Sequence, residues 1–174
     1  NGDRLPAITT DLIVRRAQLA DPEGAARLGA RLALMHHQSD PDRYFLPEEA
    51  ERGYTWWFQR ELERPAAVIL VALRGTEVVG YAYGAAEERD WNLLIDRHGV
   101  VHDLFVVEDA RRLGAGAQLL DAMIKALEAL GAPRIVLYTM VSNERAQHLF
   151  RSRGFRSTLL EMTRNQPTDA ASES

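Results

Sequence analysis

Val101-His102-Asp103-Leu104-Phe105-Val106-Val107-Glu108-Asp109-Ala110-Arg111-Arg112-Leu113-Gly114-Ala115-Gly116 is the stretch on which the fold turns. Its first seven residues read as a largely apolar strand, set within Val100 to Val107. After Glu108-Asp109-Ala110 a helix is predicted over Gly114 to Leu130. Leu119, Leu120, Met123, Ile124, Leu127 and Leu130 fall on one face of it at a 3.6-residue period. Gly131 suits a left-handed C-terminal cap, and Pro133 bars continuation. Glycines at a helix entrance let backbone approach a ligand closely. The first N–H groups of that helix lack intrahelical partners, and its dipole adds partial positive charge. Strand, glycine turn and helix together therefore make a pyrophosphate cradle, to which Arg111 and Arg112 add charge-assisted contacts.

Two rival phosphate-binding readings fail, and one bland reading stays open. A dinucleotide-binding turn needs a third glycine where Leu119 stands and an acid that the strand Arg134 to Met140 does not offer. A nucleotide-binding P-loop would need Gly-Lys-Ser/Thr, which is absent. Gly114 and Gly116 could also merely permit close helix packing.

Upstream, Leu12-Ile13-Val14 with Arg15 and Arg16 reads as a first strand. Asp21-Pro22-Glu23 opens a helix with an N-cap acid and Pro at the first position. Leu28, Leu32 and Met35 give that helix an apolar face, and it ends near His36-His37 before an Asp40-Pro41 turn. A second helix is predicted over Glu48 to Glu63. Ala67 to Leu73 and Val78 to Tyr83 form a hairpin across Arg74-Gly75-Thr76, and Glu87 to Gly99 is a charged loop. Downstream come the strand Arg134 to Met140, a helix Asn143 to Arg153 and a last strand Phe155 to Thr163.

With both motifs quoted, the chain resembles a known family. Arg111-x-x-Gly114-x-Gly116 after a strand is similar to the acyl-CoA signature of the GNAT superfamily of N-acetyltransferases. Ser142 to Phe150 with Arg153-Gly154-Phe155 resembles its second cofactor helix. The order of elements from Leu12 to Thr163 matches as well. The resemblance implies an α/β (α+β) class and a GNAT fold: a central mixed, mostly antiparallel sheet flanked by helices on both faces. It divides the chain into an N-terminal extension (1–10), a GNAT acetyltransferase domain (11–164) and a disordered tail (165–174).

The same resemblance implies acetyl-CoA as cofactor. Leu104, Phe105 and Val106 would bind its pantetheine arm through their backbone. Arg111, Arg112, Leu113, Gly114, Ala115 and Gly116 would hold the pyrophosphate, and Asn143 and Phe150 would meet the cofactor from the second helix. Asn143 has a local alternative, satisfying the backbone at its helix end. Many relatives carry Tyr where this chain has Phe150, placed to protonate the departing thiolate. Phe cannot, which leaves Tyr138, Tyr83 or water. Base candidates are His102 and Asp103, which regular strand alternation puts on opposite faces. The acceptor wall would draw on His37, Tyr44 and Trp56, with His36, Asp40 and Trp57 nearby. The implied activity is acetyl transfer to a primary amine of a small molecule or peptide N-terminus by direct attack. A non-catalytic acyl-CoA-binding module, or a transferase using another acyl-CoA, are the alternatives.

Composition agrees with a soluble globular protein. The 174 residues carry 46% hydrophobic and 26% charged side chains and a net charge of −4. That balance leaves no basic stripe for nucleic acid. Without cysteine there is no disulfide, zinc thiolate or cysteine nucleophile. No apolar run approaches a membrane span, so the expectations are cytoplasmic location and no membrane partner. Adjacent His36 and His37 lack a partner set and read as a helix end, so no metal is expected. A homodimer is a family-level expectation.

Overall fold

The computed structural model describes residues 11–166. Five strands form one sheet in sequence order: β1 (Leu12–Arg16), β2 (Ala67–Arg74), β3 (Glu77–Glu87), β4 (His98–Val106) and β5 (Ile135–Leu137). The first four are antiparallel to their neighbours, and β4 and β5 are parallel. Helices α1 (Pro22–Ser39) and α2 (Ala50–Leu62) cover one face. After the short α3 (Glu108–Arg111), α4 (Ala115–Ala129) covers the other, and α5 (Glu144–Ser152) follows β5. The mixed, mostly antiparallel sheet between helical layers is as expected.

Two apolar layers hold it. On one side Leu119, Met123 and Leu127 of α4 are fully buried with Val68, Leu70, Val79, Ala82 and Val101. Each such side chain contributes about 1.5–3 kcal/mol on leaving water. On the other side Leu28 and Leu32 of α1 and Phe58 of α2 pack on Ile69, Val71, Tyr81 and Phe105. Gly131, at φ 80°, ends α4 in the left-handed conformation its position called for.

Two local expectations are corrected. Asp21 does not cap α1 with its side chain. Its carboxylate is held instead by Arg15 Nη1 and Nη2 at 2.7 and 3.1 Å and by the Gln18 N–H at 2.6 Å. The stretch Phe155–Thr163 is not a strand. A strand needs a ladder partner, and β5 offers only three paired residues. Arg153, bound to Asp121, and Glu161, bound to Arg43, anchor the segment at both ends instead. Residues 1–10 and most of the expected tail, 167–174, lie outside the described residues.

Candidate active site

The parallel pair β4 and β5 is joined only from Gly99↔Ile135 to Val101↔Leu137. Beyond that point β4 runs on to Val106 with no β5 partner, so the sheet forks. The Val107 N–H bonds Val79 O on the β3 side. Strand alternation then turns the backbone groups of Leu104 and Val106 into the fork. Arg111 Nε donates to Val106 O at 2.8 Å, and its guanidinium lies 5.9 Å from the Phe105 ring centre. The Arg111 side chain therefore braces the end of β4, while Arg112 stays exposed.

At the mouth of the fork, Gly114 adopts φ 77° and ψ 16° and starts α4. The first bond of that turn is from the Gln118 N–H to Gly114 O. The N–H groups of Ala115, Gly116 and Ala117 precede it and are the free donors of the helix end. A Cβ on Gly114 would meet no atom within 4 Å, and one on Gly116 would approach Leu149 Cδ2 of α5 at 3.6 Å. The turn thus opens beside α5, and its donors suit a pyrophosphate. On α5, Asn143 Oδ1 accepts from the Ala146 N–H at 3.1 Å, the local capping role. Phe150 is 9% exposed and meets Phe155 edge-on at 6.2 Å.

The base candidates are arranged differently from expectation. The β3–β4 register pairs Tyr83 with Asp103 but Gly84 with Val101, so His102 is the extra residue of a bulge. His102 and Asp103 consequently share the face covered by α1 and α2. There the Tyr81 hydroxyl donates to Asp103 Oδ2 at 3.0 Å, and the His102 ring stacks on Tyr83 at 5.2 Å. Although Asp103 as a residue is half-buried, its carboxyl is crowded on all sides. Burial pushes its pKa up, against the pull of the Tyr81 hydroxyl, His102 and His36. Burial also lowers the His36 pKa, with Asp103 opposing. It raises Tyr54 to about 12, with Asp103 adding to the rise. The hydrogen-bonded pair Asp103 and Tyr81, with Tyr54 and His36 close enough to feel the Asp103 charge, is the polar group of this face.

Other candidates separate. Tyr138 is 65% exposed and directly follows Leu137, so it stands across the fork from His102. Tyr83 is excluded as a proton donor in the fork, because its hydroxyl donates to Glu61 Oε2 at 2.7 Å beneath a buried ring. The His37 ring is tied to the Tyr44 carbonyl at 2.7 Å, and Tyr44 stacks on His36 at 4.9 Å. These two reach the polar group through His36. Trp56 does not: it is 62% exposed, beside Arg60, in a hollow with Glu23 and Glu51. Its neighbour Trp57 faces inward on Tyr83. Sequence reasoning missed Tyr54, Tyr81 and Glu61, and took Glu87, the last residue of β3, for the start of a charged loop. For Tyr81, the alternation Tyr81-x-Tyr83 within a strand of small residues was a readable sign.

The family is established by comparison. The model of the acetyltransferase (GNAT) family matches residues 31–155, well over half of the chain, and the chain belongs to that family. An N-alpha-acetyltransferase of Sulfurisphaera tokodaii is 32% identical over 148 residues, covering 82% of this chain and 79% of that protein. An uncharacterized N-acetyltransferase of Bacillus subtilis is 30% identical over 106 residues, 60% of this chain and 68% of its own. Among solved structures, a predicted acetyltransferase from Clostridium acetobutylicum with acetyl-CoA superposes with TM-score 0.68 at 16% identity, covering 88% of this chain and 96% of that one. The BH1408 protein of Bacillus halodurans reaches TM-score 0.76 at 23% identity, covering 89% and 99%. At these identities the structural likeness speaks for the fold alone. Among the described residues no helix is long and apolar enough to cross a membrane.

Proposed function

We propose that this acetyltransferase moves an acetyl group from acetyl-CoA to a primary amine, and that the amine attacks directly. The observation that carries the reading is the fork. A free β4 edge runs to a left-handed glycine turn with unbonded helix N–H groups, and two proton-accepting side chains sit on one face beside it.

The residues present fit the cofactor, because nothing lies within 4 Å of the Gly114 Cβ position and the α4 donors are free. When bound, acetyl-CoA supplies the activated acetyl group. Leu104 and Val106 would hold the pantetheine arm, and Gly114 to Gly116 with Arg112 the pyrophosphate. The backbone N–H of Val106, turned into the fork, would stabilise developing negative charge. His102 takes the amine proton. The acceptor enters as the neutral amine, its ammonium proton (pKa about 10.4 on an alkyl chain, about 7.7–8.0 at a peptide N-terminus) left to solvent. The proton His102 takes is the one released as nitrogen bonds the acetyl carbon. Of the two candidate bases His102 is the more open, with its side chain 38% exposed. Asp103, hydrogen-bonded by Tyr81, would hold the acceptor amine. The printed name of the Sulfurisphaera relative supports a peptide N-terminus as acceptor. Solvent access through the fork is proposed to serve Tyr138 or water as the proton source for the thiolate.

A second reading, an acyl-CoA-binding module without turnover, is favoured by one observation: Phe150 offers no proton. Coenzyme A release from acetyl-CoA over pools of polyamines, aminoglycosides, amino acids and N-terminal peptides separates the two. Amine-dependent release that Gly114→Trp abolishes supports transfer. Tight binding with no release in any pool supports the module.

A further inference from the structure

His102 is the unpaired residue of the bulge, so the β3–β4 ladder does not fix it. Two other contacts do. Its ring lies on Tyr83 with centres 5.2 Å apart and planes 22° from parallel. Its Nε2 is 3.7 Å from Glu87 Oε1, within ion-pair range though longer than a hydrogen bond. Both supports are themselves held. The Tyr83 hydroxyl donates to Glu61 Oε2 at 2.7 Å, and its ring meets Trp57 edge-on at 4.4 Å. Arg64, just past α2, ties the two carboxylates together: Nη1 donates to Glu61 at 3.2 Å, and Nη2 lies 3.4 Å from both Glu87 oxygens.

A buried carboxylate is costly unless paired. Burying Glu61 under Tyr83 and pairing it with Arg64 would be an uneconomical way to fill space. The arrangement makes sense if its output is the orientation of the ring above it. We propose that Glu87, held by Arg64, and Tyr83, held by Glu61, are positioning residues for His102. They keep its Nε2 protonated and facing Glu87, and present Nδ1 to the acceptor amine. A ring nitrogen facing a carboxylate carries the proton, and the other keeps its lone pair. As the amine nitrogen bonds the acetyl carbon and the carbon–sulfur bond breaks with its electron pair going to sulfur, the amine proton passes to Nδ1. It returns from there to solvent. The inference rests on His102 being the base, and its test is chosen to fail separately from that reading.

In full-length protein labelled with 15N-histidine, NMR is expected to show His102 as the Nε2–H tautomer. The Tyr83 ring current is expected to displace the His102 ring protons upfield. Glu87→Ala should give a mixed tautomer and lower kcat by about 10–100-fold, the scale of a misplaced reacting group, with KM for acetyl-CoA unchanged. Glu87→Gln, which restores an acceptor oxygen, should recover most of kcat. Tyr83→Leu should abolish the upfield displacement; where it also impairs folding, Tyr83→Phe retains the stack and tests the Glu61 tether alone. An unchanged tautomer and unchanged kcat in Glu87→Ala would overturn the proposal. If His102→Ala keeps full activity while the tautomer still responds to Glu87, the assignment of the base fails and the positioning stands.

Discussion

The two glycines of the turn make opposite predictions. Gly114 has φ 77°, where an L-residue brings its Cβ against its own backbone. No other atom lies within 4 Å of that Cβ, so the backbone term acts alone. Placing Ala in left-handed geometry costs about 1–2 kcal/mol. Reduced freedom of the unfolded chain returns about 0.4–1 kcal/mol. Gly114→Ala should therefore destabilise by roughly 1 kcal/mol, or about 2–4 °C in Tm for a chain of this size. Gly116 lies inside α4 without a positive φ, and an added Cβ meets Leu149 at 3.6 Å and Val106 at 3.9 Å, both ordinary contacts. Gly116→Ala should leave Tm unchanged or raise it, by up to about 1 kcal/mol of helix propensity. Thermal unfolding of the ligand-free proteins by circular dichroism reads the difference. Calorimetric titration with acetyl-CoA then asks whether Gly114→Ala weakens binding beyond its cost in stability. Equal Tm values for the two variants would refute the claim that Gly114 serves the chain's conformation and Gly116 the space beside it.

Three further outcomes are expected. Burial raises the Asp103 pKa above its unfolded value, so the native state binds the proton more tightly and stability falls as pH rises through that window. Asp103→Asn should then raise Tm at pH 7 by a few degrees, for about 1–3 kcal/mol of desolvation, and the gain should vanish below the ordinary carboxylate range; a gain that persists there would count against it. Gly84→Ala would set a Cβ 2.7 Å from Met123 Sδ and 2.8 Å from Val100 O. Because the second neighbour is backbone, a loss of about 1–3 kcal/mol is expected in denaturant titration. Phe150→Tyr should raise kcat at pH 7.5 by no more than about tenfold, since a coenzyme A thiol with pKa about 8.5 is one unit from that pH. A hundredfold rise in steady-state assays would show that the thiolate does not leave unaided.

Much of the fold was legible because its signals are local. The period of Leu119, Met123 and Leu127 and the closing Gly131 mark α4 whatever surrounds it. The glycine turn is likewise read from neighbours in sequence. The final strand was not, because Phe155 to Thr163 carries residues of suitable type yet depends on a remote ladder partner. The short β5 and the anchors at Arg153 and Glu161 decide otherwise. Asp21 has the right residue type for a cap, but Arg15, six residues away, has the stronger claim on its carboxylate. Each miss is a tertiary partner overriding a local preference.

The bulge matters most, because it changes chemistry as well as geometry. Alternation placed His102 and Asp103 on opposite faces and so made them rivals for one role. With one residue inserted they stand side by side in different surroundings: an exposed imidazole beside Glu87 and a crowded carboxyl hydrogen-bonded by Tyr81. A sign of this lay in β3 rather than β4. Gly84 sits in the buried interior of β3, and a glycine in a strand interior often marks a bulge or a close approach. Here it marks both, since Met123 leaves no room for a Cβ where the register slips. The packing of α4 on one face of the sheet thus coincides with the step that sets both candidate bases on the other.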